Sequence, residues 1–201
     1  MSKRANHYEA AFEEYLRAGR IPYVAVDETR RSLTAAGSIK SLDFIVSGPV
    51  AEYPAPWKGD ALAAGTCGWL VDVKGRQFPA GRQNQYWRNW STIDDVKSLT
   101  RWQDLFGPRF VGLLVFAFNV VSDRSPVSAE RLFGFRGELY AFVGIRLDLY
   151  ASWARQISGK WQTVAMPSGR FRELAQPVDL IFSQPAASPR SVADVDCVVV
   201  E

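Results

Sequence analysis

The sequence predicts an α/β fold, and three observations carry that prediction. Residues 5–18 repeat apolar side chains at helical spacing, and residues 68–78 and 110–121 are apolar runs with the length of buried strands. Between those strands lies a second helical stripe with a cap at its start and a glycine at its end. The resulting order is helix, three strands, helix, strand, followed by a C-terminal α+β extension.

Each element has its own justification. "ANHYEAAFEEYLRA" sets Tyr8, Ala11, Phe12, Tyr15 and Leu16 on one stripe, and Gly19 stops the helix. On a wheel advancing about 100° per residue, Glu9 falls at the edge of the stripe, Glu13 a little further out and Glu14 on the solvent side. "IPYVAVDE" reads as a strand, "TRRSLTAAGSI" as a loop, and "KSLDFIVSG" as a strand with Asp43 inside its apolar run. The Gly, Pro and Ala-rich segment 48–67 is a long connection or an inserted loop. "GWLVDVKGRQF" is the third strand, and 77–90 a polar and aromatic loop. "STIDDVKSLTRWQDLFG" is a helix capped at Ser91 or Thr92, with Trp102 and Phe106 expected in the core. "RFVGLLVFAFNVV" is apolar throughout, as in a strand covered on both faces. Beyond it the sequence predicts a hairpin turning near Gly137, a short helix in "DLYASWARQ", a strand in "KWQTVAM" and a helix in "GRFRELAQ". The tail from Pro177 is loosely specified and fits an edge segment.

Composition bounds the function. At 201 residues and 22.5 kDa, with 47% hydrophobic residues, the chain suits one domain with a real core. The expected division is a core over 1–121 and an extension over 122–201 packed on it. No apolar run follows the N-terminal residues, and Phe110 to Val121 falls short of the roughly 20 residues a membrane helix needs. The expectation is a cytoplasmic protein. Cys67 and Cys197 have no neighbouring ligand pattern, which gives no disulfide framework and no zinc site. His7 is the one histidine, so nucleophilic chemistry that relies on histidine has a single candidate base. A net charge of +3 permits an acidic partner such as nucleic acid without demanding one.

The chemistry concentrates in a few charges inside apolar runs. In a strand Asp72 and Lys74 share one face while Val71 and Val73 take the other. Burying an acid beside a base is costly unless they pair or serve a ligand, so they form either a structural ion pair or half of a site. Asp43 lies in a second strand and Glu9 on the first helix. If those strands are neighbours, Asp43 and Asp72 converge and the helix can bring Glu9 to them. Hard oxygen ligands of this kind suit Mg²⁺ or Mn²⁺, with phosphate completing the shell. Lys74 would then neutralise developing charge, and the reaction would be phosphodiester hydrolysis. The alternatives are a solvated helix acid at Glu9 and a turn cap at Asp43.

On these residues the chain resembles the PD-(D/E)XK nuclease superfamily, whose restriction-endonuclease-like core has the same element order around a central mixed sheet flanked by helices. Asp43 matches its first motif, with Leu42 where the family name has proline, and Asp72-Val73-Lys74 matches the (D/E)XK motif. Glu9 matches the helix glutamate of archaeal Holliday-junction resolvases and Mrr-like nucleases. "AGSIKSLDFIV" is similar to the loop of the resolvases, which implies that Ser38 and Lys40 approach the substrate. The resemblance covers about residues 5–121 and implies Glu9, Asp43 and Asp72 as metal ligands and Lys74 as the catalytic cation. "HYEAAFE" also fits the HYExAFE family of bacterial proteins, which implies no particular activity.

Arg76, Gln77, Arg82, Trp87 and Arg88, beside Gln85, Tyr86 and Trp90, form a stretch suited to phosphates and unpaired bases. Lys97 and Arg101 follow on the next helix. The other reading of this loop is partner packing or a surface lid. Gln103 and Glu13 are auxiliary candidates. DNA is the expected substrate and RNA an alternative, and a homodimer would suit cutting of two strands. The rival class is a nuclease-fold protein that binds nucleic acid or a protein partner without cutting. A hydrolase of another phosphate ester is the third reading.

Overall fold

The computed structural model describes residues 6–26, 32–34, 37–47, 68–81 and 86–182. The elements run α1 (His7–Ala18), β1 (Tyr23–Ala25), β2 (Ser32–Thr34), β3 (Gly37–Ile39), β4 (Phe44–Ser47), β5 (Gly68–Phe78), β6 (Ser91–Thr92) and α2 (Ile93–Phe106). There follow β7 (Phe110–Val120), β8 (Phe133–Phe135), β9 (Glu138–Arg146), α3 (Leu147–Trp153), β10 (Arg155–Ser158), β11 (Thr163–Ala165), α4 (Ser168–Leu174), β12 (Gln176–Pro177) and α5 (Val178–Phe182). No helix among the described residues is long and apolar enough to cross a membrane.

The main sheet has the order β1-β4-β5-β7-β9-β12, with β8 paired to β9. It is mixed: β5 and β7 are parallel from Gly68↔Phe110 to Phe78↔Val120, whereas β4–β5 and β7–β9 are antiparallel. This is the predicted α/β architecture, a central mixed sheet between helices. One face buries Trp69, Val71, Val73, Leu113 and Val115 under Phe12 and Leu16 of α1 and Ile181 of α5. The other buries Leu70, Phe78, Leu114, Phe116 and Phe118 under Leu99 of α2, Tyr150 of α3 and Phe171 of α4. Burial on both faces explains why β7 reads as a continuous apolar run.

The structure departs from the sequence expectations at identifiable places. The segment expected as a loop contains a small hairpin, β2 with β3. The strand predicted over 40–48 begins only at Phe44, and Asp43 sits at a bend just before it. Of the two residues expected in the core, Trp102 is partly buried against it and Phe106 lies outside it. Phe106 is 37% exposed and packs edge-on against Phe110, while the half-buried Trp102 donates its indole N–H to the Lys40 carbonyl at 2.7 Å. Leu99 is the α2 stripe residue that reaches full burial. The 48–67 segment, Cys67, Cys197 and the tail beyond 182 lie outside the described residues. Of the tail expected from Pro177 as an edge segment, Pro177 pairs with β9, but the chain then forms the helix α5 over Val178–Phe182.

Two glycines carry the geometry. The β8–β9 hairpin turns through Arg136 and Gly137, both with positive φ (52° and 81°), as a type I′ turn requires. Gly75 lets α1 approach β5: a Cβ there would fall 2.1 Å from Cδ2 of Tyr8. Gly75→Ala should therefore lower the denaturant midpoint, costing about 1–3 kcal/mol by overpacking. In the Tyr8→Ala background the same change should cost clearly less, which a double-mutant cycle would measure.

Candidate active site

Alternation along β5 turns Asp72 and Lys74 away from α1, to the face where α2 packs. The Lys74 ammonium lies 3.0 Å from Asp72 Oδ1, 2.8 Å from Asp72 Oδ2 and 3.1 Å from Asp95 Oδ2. Asp95 is a residue that sequence reasoning missed. Its carboxylate also meets Lys40 Nζ at 2.6 Å through Oδ1. Oδ2 accepts the Thr92 backbone N–H at 3.0 Å and the Ser91 hydroxyl at 3.2 Å, while the Asp95 N–H returns to Thr92 Oγ1 at 3.0 Å. This capping box starts α2, so one acid both begins the helix and binds two lysines. The Thr-x-x-Asp spacing was the available signal. It marks a cap, but it does not say which basic side chains will face the remaining lone pairs.

Asp43 joins the same strand from the other side. Its N–H bonds to the Val71 carbonyl at 2.9 Å and its Oδ2 accepts the Val73 N–H at 2.5 Å, so it binds the β5 backbone on both sides of Asp72. Glu9 is buried near the start of α1, where Oε1 accepts from the Asn6 amide at 2.5 Å. Helix α1 covers the face of the sheet opposite the one that carries Asp72 and Lys74.

The predicted substrate residues separate. Lys40 is drawn into the carboxylate network; Ser38 lies on β3, and its side chain is outside the described set, as is Arg82. Arg76 stacks over Trp90 at 3.8 Å and donates to the carbonyls of Gly75 and Trp90. Its burial lowers its pKa to about 10. Trp87 packs on Phe78, Phe118 and Phe171 as part of an aromatic cluster, whereas Gln77 and Arg88 are exposed. Gln103 is committed to the Gly112 N–H at 2.7 Å and Glu13 to the Tyr23 hydroxyl at 3.1 Å.

Lys40, Ser41, Leu42, Asp72, Asp95, Ser98, Leu99 and Trp102 line a cleft of ≈ 10 Å³. That is about the room one water needs. Within it the two carboxylates are pushed apart. Burial raises the Asp72 pKa, with the negative Asp95 adding to the rise and Lys74 opposing it. Burial also works against ionised Asp95, but Lys74, Lys40 and the Thr92 bonds overcome it and hold this acid well below the usual carboxylate range. Burial alone would lower Lys74, yet its two carboxylate partners keep its ammonium well above the ordinary lysine range.

Among the described residues no three carboxylate, histidine or cysteine side chains form a ready cation cage. Mg²⁺ nevertheless accepts one or two carboxylates when waters and substrate phosphate complete its shell. The donor chemistry of Asp72 on β5 and of Asp43, bonded to the β5 backbone on either side of it, fits that limited role. Asp95 fits it less well, its carboxylate being held by two ammoniums and two hydrogen bonds.

No family model and no curated protein matches the chain, so its HYExAFE resemblance rests on residues 7–13 alone. Among solved structures it is similar to Hjc, a Holliday junction resolvase from the archaeal hyperthermophile Archaeoglobus fulgidus, at 9% identity and a TM-score of 0.46. That alignment covers 88% of this chain and 98% of Hjc.

The depressed Asp95 pKa fixes the sign of a pH effect. Such a group contributes stability above its unfolded pKa of about 3.9 and loses it as pH falls toward the folded value. Asp95→Asn should destabilise the fold at pH 7 by about 3 kcal/mol, the scale of breaking a buried pair. The gap from the native protein should narrow as pH falls from about 5 to 3, as paired denaturation curves would measure.

Proposed function

We propose that the protein is a metal-dependent nuclease that hydrolyses phosphodiester bonds, with DNA as the substrate. The observation that carries this reading is the Asp72 and Lys74 pair, set on one face of a buried strand with Asp43 bonded to the backbone on either side. Asp72 and Asp43 are the residues that would hold Mg²⁺ or Mn²⁺, with Glu9 of α1 the third candidate from the sequence. When bound, the ion would supply Lewis-acid neutralisation of charge on the phosphoryl group.

The chain's own residues do the remaining work. Lys74 offers an ammonium kept protonated by two carboxylates, and so a fixed positive charge against the developing oxyanion. Asp95 holds that ammonium from the helix side, and Lys40 brings a second cation to the cleft rim. Because Lys74 is anchored before substrate arrives, little reorganisation is required as charge develops.

A second reading has its own support. The cleft is small and Lys74 is already shared between two acids, an arrangement that also suits a nuclease-fold protein that binds nucleic acid without cutting it. End-labelled single-stranded, duplex, flap and four-way-junction DNA, with RNA in parallel, separates the readings. Cleavage should require Mg²⁺ or Mn²⁺, stop with chelator, and fall by about 10²–10³-fold in Asp72→Asn and Lys74→Ala while the fold persists. Full activity in both variants sinks the site assignment. Binding in chelator with no product under any metal selects the non-cutting reading.

A further inference from the structure

Among the described residues of the stretch expected from sequence to grip a strand, Trp87 belongs to the aromatic cluster and Arg76 lies on Trp90, while Gln77 and Arg88 are exposed. An exposed aromatic and basic surface lies elsewhere, on the hairpin of β10 and β11. Trp161 at its turn is 70% exposed and Ile157 is 59% exposed. The turn is ordered by its own bonds, the Trp161 N–H to Ser158 Oγ at 3.2 Å and the Gln162 N–H to the Gly159 carbonyl at 3.4 Å. The Lys160 ammonium stands 5.3 Å from the Trp161 ring centre.

Two further observations say what this surface fits. From residue 149 to 172 the chain has four bases, Arg155, Lys160, Arg170 and Arg172, and no acid. Arg170 is shared with Glu173 at 2.7 Å and covers Trp153 at 4.6 Å, while Arg155, Lys160 and Arg172 are exposed. The hairpin is also fastened to the candidate active site. Strand β11 pairs with β6, and the Ile93 N–H donates to the Gln162 carbonyl at 2.8 Å, one residue from Trp161 and two from Asp95. A flat indole beside the Lys160 ammonium, on a hairpin that also exposes Arg155 and is held at the helix end that carries Asp95, is complementary to a base and its flanking phosphates.

We propose that the β10–β11 hairpin is a binding platform for single-stranded or unpaired nucleic acid, with Trp161 stacking on a base and Lys160 and Arg155 on phosphates. This rests on the reading of nucleic acid as the substrate. It assigns strand engagement to a segment outside the nuclease-like core.

The test is binding of a labelled single strand of about 16 nucleotides by the full chain in chelator, read by fluorescence anisotropy over a salt series. Trp161→Ala should weaken binding about tenfold and Trp161→Phe should restore most of it. Lys160→Ala should reduce the salt slope by about one. Trp161 is exposed, so circular dichroism of these variants should match the native protein. Unchanged affinity in Trp161→Ala, or no binding by the native chain, overturns the platform. Unchanged affinity together with a change in mass by light scattering would assign the hairpin to contact between copies and overturn it equally. Metal-dependent cleavage, assayed in parallel, keeps the two readings apart: Trp161-dependent binding without any cleavage defeats the nuclease and leaves the platform standing.

Discussion

The Lys74 ammonium, shared between Asp72 and Asp95, is the interaction on which the rest of the site depends. An ion taken from water into this position would be strongly unfavourable alone. With a carboxylate from its own strand and another from α2, the charge is compensated, and helix and sheet are joined at a polar point within a mostly apolar interface. The same contact separates the two acids. Asp95 collects two ammoniums and a helix start and remains ionised, while Asp72, desolvated and facing the charge of Asp95, is pushed up. Environments that drive neighbouring titratable groups apart are characteristic of sites that do chemistry, although structural networks do it too.

The C-terminal half of the chain holds this arrangement in place. Residues 86–90 lead into α2 as irregular backbone, and buried polar bonds fix them. Asn89 donates to the Met166 carbonyl at 3.1 Å and accepts the Met166 N–H at 2.8 Å, while the Tyr150 hydroxyl bonds to the Asn89 carbonyl at 2.7 Å. These partners come from α3 and from the end of β11. The extension thereby sets where Ser91 and Thr92 lie, and through them the Asp95 carboxylate. Strand β9 also pairs with β7 from Leu113↔Arg146 to Asn119↔Tyr140, covering what would otherwise be an open sheet edge. The site and its supporting segment are therefore mechanically one unit.

Much of the fold was legible in the sequence because its signals are local. The strand 68–78 and the continuous apolar run of β7 state their burial directly, and the cap and closing glycine of α2 bracket that helix. Legibility was poorer where a residue's partner is distant in sequence. Trp102 sits on an apolar stripe, yet its N–H is drawn to the carbonyl of Lys40, and Phe106 lies near the open end of its helix. Trp87 and Arg76 have the composition of a nucleic-acid contact, but aromatic packing and the carbonyl of Trp90 claim them.

The sequence by itself determined that Asp72 and Lys74 share a face, because strand alternation admits no other outcome, and that a helix is capped at Ser91 or Thr92, each of which has an aspartate three residues on. Only the tertiary structure decided that this face meets α2 rather than α1. The parallel pairing of β5 with β7 and the packing of Leu99 on one side and Phe12 on the other set which helix covers which surface, and such pairings depend on contacts far apart in the chain. That choice brings Asp95 to Lys74, leaves Glu9 on the opposite side of the sheet, and carries Trp161 to the end of α2.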